Sequence, residues 1–177
     1  QIIARMMRKN RKISVKAALT MFCATLLCLS SYAQGSWSDY AAARNTIWEE
    51  KLERQVGFLA DSVCLGRGIG SRGGVEAAAW IAREFEKARL MKMDSTWFKA
   101  FRSEKGVIGH NVIGMLPSGY ADCSSYVIVG AHFDHLGILH GKHYPGADAN
   151  ASGTVAMTSI ARMMAAMRLA TGRRNPS

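Results

Sequence analysis

His132 and Asp134 are separated by a single residue at the end of an apolar run, and Asp148 follows in a loop that also holds Pro145 and Gly146. One imidazole and two carboxylates in this order are the side chains of metal chemistry. Neutral imidazole is a good zinc ligand. A nearby carboxylate can accept the other ring N–H, which fixes the tautomer and raises ligand basicity. A second carboxylate from the loop would add a further ligand. His-x-Asp also occurs in ordinary turns, and that reading stands beside the metal one. His140 and His143 lie three apart in the same loop and form another candidate pair, although solvent-facing loop histidines are the simpler expectation.

These residues need elements to position them. Tyr126 to Ala131, YVIVGA, is short, apolar and rich in β-branched residues, the pattern of a strand buried on both faces of a parallel sheet. Ligands of open α/β sheets bind outside the carboxyl ends of the strands, where His132 and Asp134 stand. A helix is expected from Ser152 to about Leu169, with Ala156, Ile160, Met163, Met164 and Met167 inward as a core-packing stripe. Upstream, Ser38 to Ala60 reads as a helix carrying Trp48, Leu52, Val56 and Leu59 on one side. Val75 to Leu90 reads as another, with Ala78, Ile81, Ala82, Phe85 and Ala88 inward and Arg83, Glu84 and Lys87 toward solvent. Ser95 to Phe101 and Val107 to Leu116 read as strands around the polar turn 102–106. His110 falls inside the second of these and is expected to be structural. Pro117-Ser118-Gly119 makes the turn before the central strand, and Thr171-Gly172 stops the last helix. The glycine-rich run Leu65 to Gly74 follows no apolar strand and has no Gly-Lys-Ser/Thr, so a nucleotide loop is excluded.

GAHFDHLG followed by YPGADANASG resembles the signature of the cocatalytic dizinc aminopeptidases, a family that includes bacterial leucyl aminopeptidases, with glutaminyl cyclases and glutamate carboxypeptidases as relatives. The family wording is close to AH-aromatic-DHLG, a variable loop, then PGADDNASG. The GR-x-x-GS turn at Gly66 to Ser71 and the stretch Asn111 to Gly114 before Leu116-Pro117 are similar as well, so the resemblance covers roughly Ile47 to Met167. It implies an α/β fold, a three-layer sandwich around a mixed, largely parallel sheet. It implies a zinc ligand at His132, its orienting carboxylate at Asp134 as a member of the catalytic set, and a candidate metal ligand at Asp148. One position departs from the pattern: the carboxylate that bridges both metals in the family is replaced by Ala149. Two dipositive ions about 3.5–4 Å apart repel by roughly 15–20 kcal/mol at an effective dielectric near 20, so at most one tightly bound zinc is expected. The family's Glu-Glu pair, further Asp and second His come later in its sequences, and residues 34–177 are therefore expected to be the amino-terminal portion of a catalytic domain. The implied function is an exported zinc metallo-exopeptidase acting on peptides. The alternative is a metal-poor relative that uses the fold to bind peptides or partners.

Composition agrees with a globular domain. Apolar residues are 49% of the 177 and charged ones 20%. The net charge of +10 is concentrated, because residues 1–33 hold six Lys/Arg and no acid. No basic stripe interleaved with aromatics is present elsewhere, so nucleic acid is not an expected partner. Within residues 1–33 a basic stretch precedes the apolar run Ala17 to Leu29 and the small-residue end Ser31-Tyr32-Ala33. That order is a secretory signal peptide with cleavage after Ala33. The apolar run is too short to span a bilayer, so no stable membrane anchor is expected after cleavage, and the mature chain is expected in the periplasm or outside the cell. Cys23 and Cys28 would leave with the signal. Cys64 and Cys123 are expected as buried small residues, with a bridge between them permitted by export.

Overall fold

A computed structural model describes residues 40–41, 43–117 and 125–170, with the backbone alone for 168–170. The chain divides into two units, Gln1–Ser38 and Asp39–Ser177. The expected signal peptide, Cys123, the turn residues Ser118 and Gly119, and the stop at Thr171-Gly172 lie outside the described residues. Among the described residues no helix is long and apolar enough to cross a membrane.

Helix α1 spans Glu49–Ala60 and begins later than its periodicity suggests. Thr46 Oγ1 donates to the Ala43 carbonyl at 2.7 Å, and Trp48 is extended at φ −148°, ψ 151°. Asn and Thr side chains compete with helical hydrogen bonds, which accounts for a break at 45–46. Leu59 is fully buried, whereas Trp48 is exposed beneath the Lys51 ammonium, 4.6 Å from its ring centroid. A 3-10 turn, Ser62–Arg67, follows and is capped by Asp61, whose side chain accepts from the Val63 N–H. Helix α2, Arg72–Lys87, starts at Ser71, whose Oγ accepts from the Gly74 N–H at 3.1 Å. Its inward face includes Ala77, Ala78, Trp80, Ile81 and Phe85. The core joins these residues to Leu59 and Cys64, and to Ala151 and Val155 from the carboxyl-terminal side.

The sheet component is mixed with helix but small. Among the described residues there are three two-stranded antiparallel ladders. They pair β1 (Met91–Lys92) with β4 (Gly114–Met115), β2 (Phe98–Arg102) with β3 (Ile108–Val112), and β5 (Ile138–Leu139) with β6 (Lys142–His143). The β2–β3 hairpin turns where the polar residues 102–106 stand, closed by Ser103 N–H to the Val107 carbonyl at 2.9 Å. The largely parallel sheet is not what these ladders form. Residues 126–131 make no ladder, and Tyr126, Val127 and Ile128 are 82%, 88% and 91% exposed. A parallel strand takes its burial and its hydrogen bonds from flanking strands, and no described segment pairs with this one.

Helix α3, Ser152–Ala170, corrects a second expectation. Thr154, Val155, Thr158, Ser159 and Ala165 are buried, while Ile160, Met164 and Met167 are exposed. Glu84 on α2 decides this orientation. It is buried instead of solvated and accepts from Gln55 Nε2 at 2.9 Å, Lys87 Nζ at 2.7 Å and Arg162 Nη1 at 3.2 Å. A buried carboxylate needs such partners, and only the face carrying Arg162 supplies one from α3.

Gly73 marks where the 3-10 turn and α2 touch. A Cβ there would lie 1.9 Å from the Cys64 carbonyl oxygen, whereas one at Gly57 in α1 would meet nothing within 4 Å. Gly73→Ala should therefore lower stability by about 1–3 kcal/mol or more through overpacking. Gly57→Ala should raise it by roughly 0.5–1 kcal/mol, as alanine suits a helix interior better. Urea-unfolding midpoints moving in opposite directions would bear this out.

Candidate functional site

The site is assembled around Arg67. Leu65, Gly66 and Arg67 have φ of 44°, 67° and 55°, so the chain reverses at the end of the 3-10 turn and carries the Arg67 side chain inward. Gly66 is required there. A Cβ would lie 2.5 Å from the Tyr144 carbonyl oxygen and 2.6 Å from that of Gly137. Arg67 is fully buried. Its Nε donates to the Phe133 carbonyl at 2.7 Å, Nη1 to those of Pro145 at 2.7 Å and Leu59, and Nη2 to that of Gly146 at 2.7 Å. Burial lowers its pKa, opposed by the nearby Cys64 and Asp134, and a guanidinium starting so high stays charged. The backbone adds His135 N–H to the Arg67 carbonyl at 3.1 Å and Gly137 N–H to that of Gly66 at 3.0 Å.

Phe133 lies between His132 and Asp134, and Pro145-Gly146 leads into Asp148, so one guanidinium holds both segments of interest. His132 Nδ1 is 3.1 Å from the Asp134 carbonyl oxygen and 3.6 Å from its carboxylate Oδ1. Both neighbours are acceptors, so in the neutral ring the proton belongs on Nδ1 and the lone pair on Nε2. That is the tautomer a metal ligand or general base needs. The His132 carbonyl accepts from Asn150 Nδ2 at 3.0 Å and Thr154 Oγ1 at 3.2 Å, tying the end of the apolar run to the start of α3. Between Asp148 and α3 the Ala149–Asn150 peptide bond is cis, and Ala151 N–H donates to the Gly146 carbonyl at 3.2 Å.

Beside His132 an open groove of about 540 Å³ runs between Val129-Gly130-Ala131 and the Ala156, Met157 and Ile160 side of α3. Its volume is that of a small-ligand cleft, and its walls are mainly apolar.

The structure thus brings His132 and Asp134 together and sets His132 on the groove. Asp148 stands exposed in the adjoining loop. Among the described residues no three His, Cys, Asp or Glu side chains converge on a point where a metal ion would sit. His140 is exposed in the β5–β6 turn at φ 51°. His143 in β6 is half-buried, with Nε2 buried and without a hydrogen-bond partner. His110 is exposed in β3, edge-on to Phe98 at 6.3 Å. The residue that sequence reasoning missed is Arg67. Its neighbours read as a glycine turn, and the available signal is an arginine flanked directly by two glycines, Gly66 and Gly68. Asn150 and Thr154 were also missed. They are polar residues four apart across a helix start, a spacing that faces one side.

Residues 111–174 match the family model described as Peptidase family M28. No curated protein and no solved structure matches the chain. The match spans His132, Asp134 and Asp148 and leaves Arg67 outside it. Members of this family generally bind zinc. The described residues suit that ion incompletely. His132 has the right tautomer and Asp148 a carboxylate, but Ala149 has no donor atom, and zinc sites take three or four protein ligands. They do not make a zinc centre by themselves.

Cys64, beside Arg67, is free and fully buried. Burial raises its thiol pKa above the ordinary value, against the opposing charge of Arg67. Only the thiolate reacts, so Cys64 should resist iodoacetamide at pH 8 in the folded chain and react in urea. Peptide mass mapping of the alkylated cysteine checks this.

Proposed function

We propose that this chain, a peptidase family M28 sequence over residues 111–174, is an exported metallo-exopeptidase with a weakened metal centre. The observation that carries the reading is the placement of His132 within the matched segment, with Nδ1 facing the Asp134 oxygens, on an apolar groove large enough for a substrate side chain. In this reading Asp134 orients His132, Asp148 is the loop carboxylate available to a metal, and a peptide lies along the groove with its apolar side chain against Met157 and Ile160. Zinc, when bound, would supply Lewis-acid activation of a carbonyl and of water. The full architecture in this reading is a three-layer sandwich around a largely parallel sheet, with residues 126–131 as a central strand. Their apolar, uncharged composition supports it.

Ala149 favours a second reading, a metal-poor member that binds peptides or partners without hydrolysing them. The two are separated by zinc content per chain and aminopeptidase turnover, measured on the full chain before and after Ala149→Asp. The expected result is at most one tightly bound zinc and poor turnover in the parent. Both should rise with the aspartate, turnover by at least about tenfold, the scale of effects on metal-supporting residues. Two tight zincs and full activity in the parent would overturn this and assign the bridge to Asp148 or another ligand. No gain in either quantity would favour the binding protein.

Export belongs to the same proposal and rests on the order of residues 8–33. Mass spectrometry of the mature protein should find Gln34 at the amino terminus. Recovery of an intact Ala17 to Leu29 segment from the membrane fraction would overturn it.

A further inference from the structure

We propose that Arg67 is the positioning residue of this site: its guanidinium fork sets the separation of the His132–Asp134 turn and the Pro145–Asp148 loop. The role assigned to these segments rests on the peptidase reading; the geometry that links them does not.

Every acceptor that Arg67 engages is a backbone carbonyl, and none is a carboxylate. A buried guanidinium kept for charge pairing would face an acid. This one faces the peptide groups on either side of the site, together with the end of α1 at Leu59. Phe133, Pro145 and Gly146 belong to segments that have no ladder of their own; Arg67 donates to all three carbonyls, and that of Gly146 also accepts from the Ala151 N–H. The demand is geometric. A planar fork directs N–H groups to three carbonyls at 2.7 Å in fixed directions, whereas a lysine is a compact point charge with no such fork. The molecule's other buried ionic hub, at Glu84, ties α1, α2 and α3 together and makes none of these loop contacts. Arg67 also sets the state of His132 indirectly. By holding the Phe133 carbonyl it fixes the turn in which His132 Nδ1 faces the Asp134 oxygens.

The test uses the full chain with Arg67→Lys and Arg67→Ala, read by amide hydrogen exchange and by the ring-nitrogen chemical shifts of His132. The reporting amides are His135 and Gly137, bonded to the carbonyls of Arg67 and Gly66, Tyr144, bonded to that of Gly137, and Ala151, bonded to that of Gly146, with α2 as the reference. Both variants should speed exchange at these four amides by at least about tenfold relative to α2, as expected for local opening. His132 should pass from one tautomer to a mixture. In Arg67→Ala, added methylguanidinium should restore slow exchange, and methylammonium should not. If Arg67→Ala does not fold, Arg67→Lys carries the test. The proposal is overturned if Arg67→Lys keeps slow exchange and a single tautomer, if α2 accelerates equally, or if the four amides already exchange fast in the parent. Neither readout needs metal or peptide, so a failure of Ala149→Asp to raise zinc content or turnover would refute the peptidase reading and leave this result standing.

Discussion

A charged guanidinium taken wholly out of water is the constraint on which the rest of this structure turns. Removing such an ion from solvent costs several kcal/mol even after relaxation. The cost is met here by four hydrogen bonds to backbone carbonyls, and bonds to charged groups contribute about 1.5–3 kcal/mol each. The dependence is mutual. A carbonyl left buried without a donor costs about 1–3 kcal/mol, and total stability for a domain is only about 5–15 kcal/mol. The left-handed turn at residues 65–67 delivers the side chain, Gly66 makes room for the hairpin above it, and the loops around His132 and Asp148 close onto it. The irregular half of the molecule is organised by a donor where a sheet would use a ladder.

The helical half has its own polar determinant. Glu84 collects Gln55, Lys87 and Arg162 and so decides which side of α3 faces inward. Thr154, Thr158 and Ser159 are buried as a consequence, and their small side chains let the helices approach. The larger Ile160, Met164 and Met167 are left outside. Ile160 and Met157 then form one wall of the groove beside His132. An ionic choice in the core thus creates the apolar surface of the candidate site.

The family match covers His132 and the residues that line its groove. His132 is held in the tautomer that leaves Nε2 free. Thr154 and Asn150 fasten its carbonyl to α3, and Asp148 lies in the loop between them. Ala149, which follows Asp148, offers no side-chain donor atom.

What the sequence determined by itself was local. Helix α2 was legible because its apolar residues recur at helical spacing, although the Ser71 cap starts it at Arg72, before the expected Val75. The β2–β3 hairpin was legible because polar residues 102–106 separate a pair of strand patterns, and the His132–Asp134 motif because its spacing is short-range. The break before α1 does not follow from the periodicity, which reads as one helix from Ser38 to Ala60, although Asn45 and Thr46 carry a local signal for it. Three features were decided only by tertiary structure: the burial of Arg67, the inward face of α3 and the exposure of residues 126–131. Each depends on partners remote in sequence. Arg67 needs carbonyls from residues 133, 145 and 146, and Arg162 needs the carboxylate of residue 84. A strand is buried only if other strands lie beside it. Periodicity reports which side chains share a face. Which face meets the core is decided by the charges and backbone groups that must be satisfied when the faces meet.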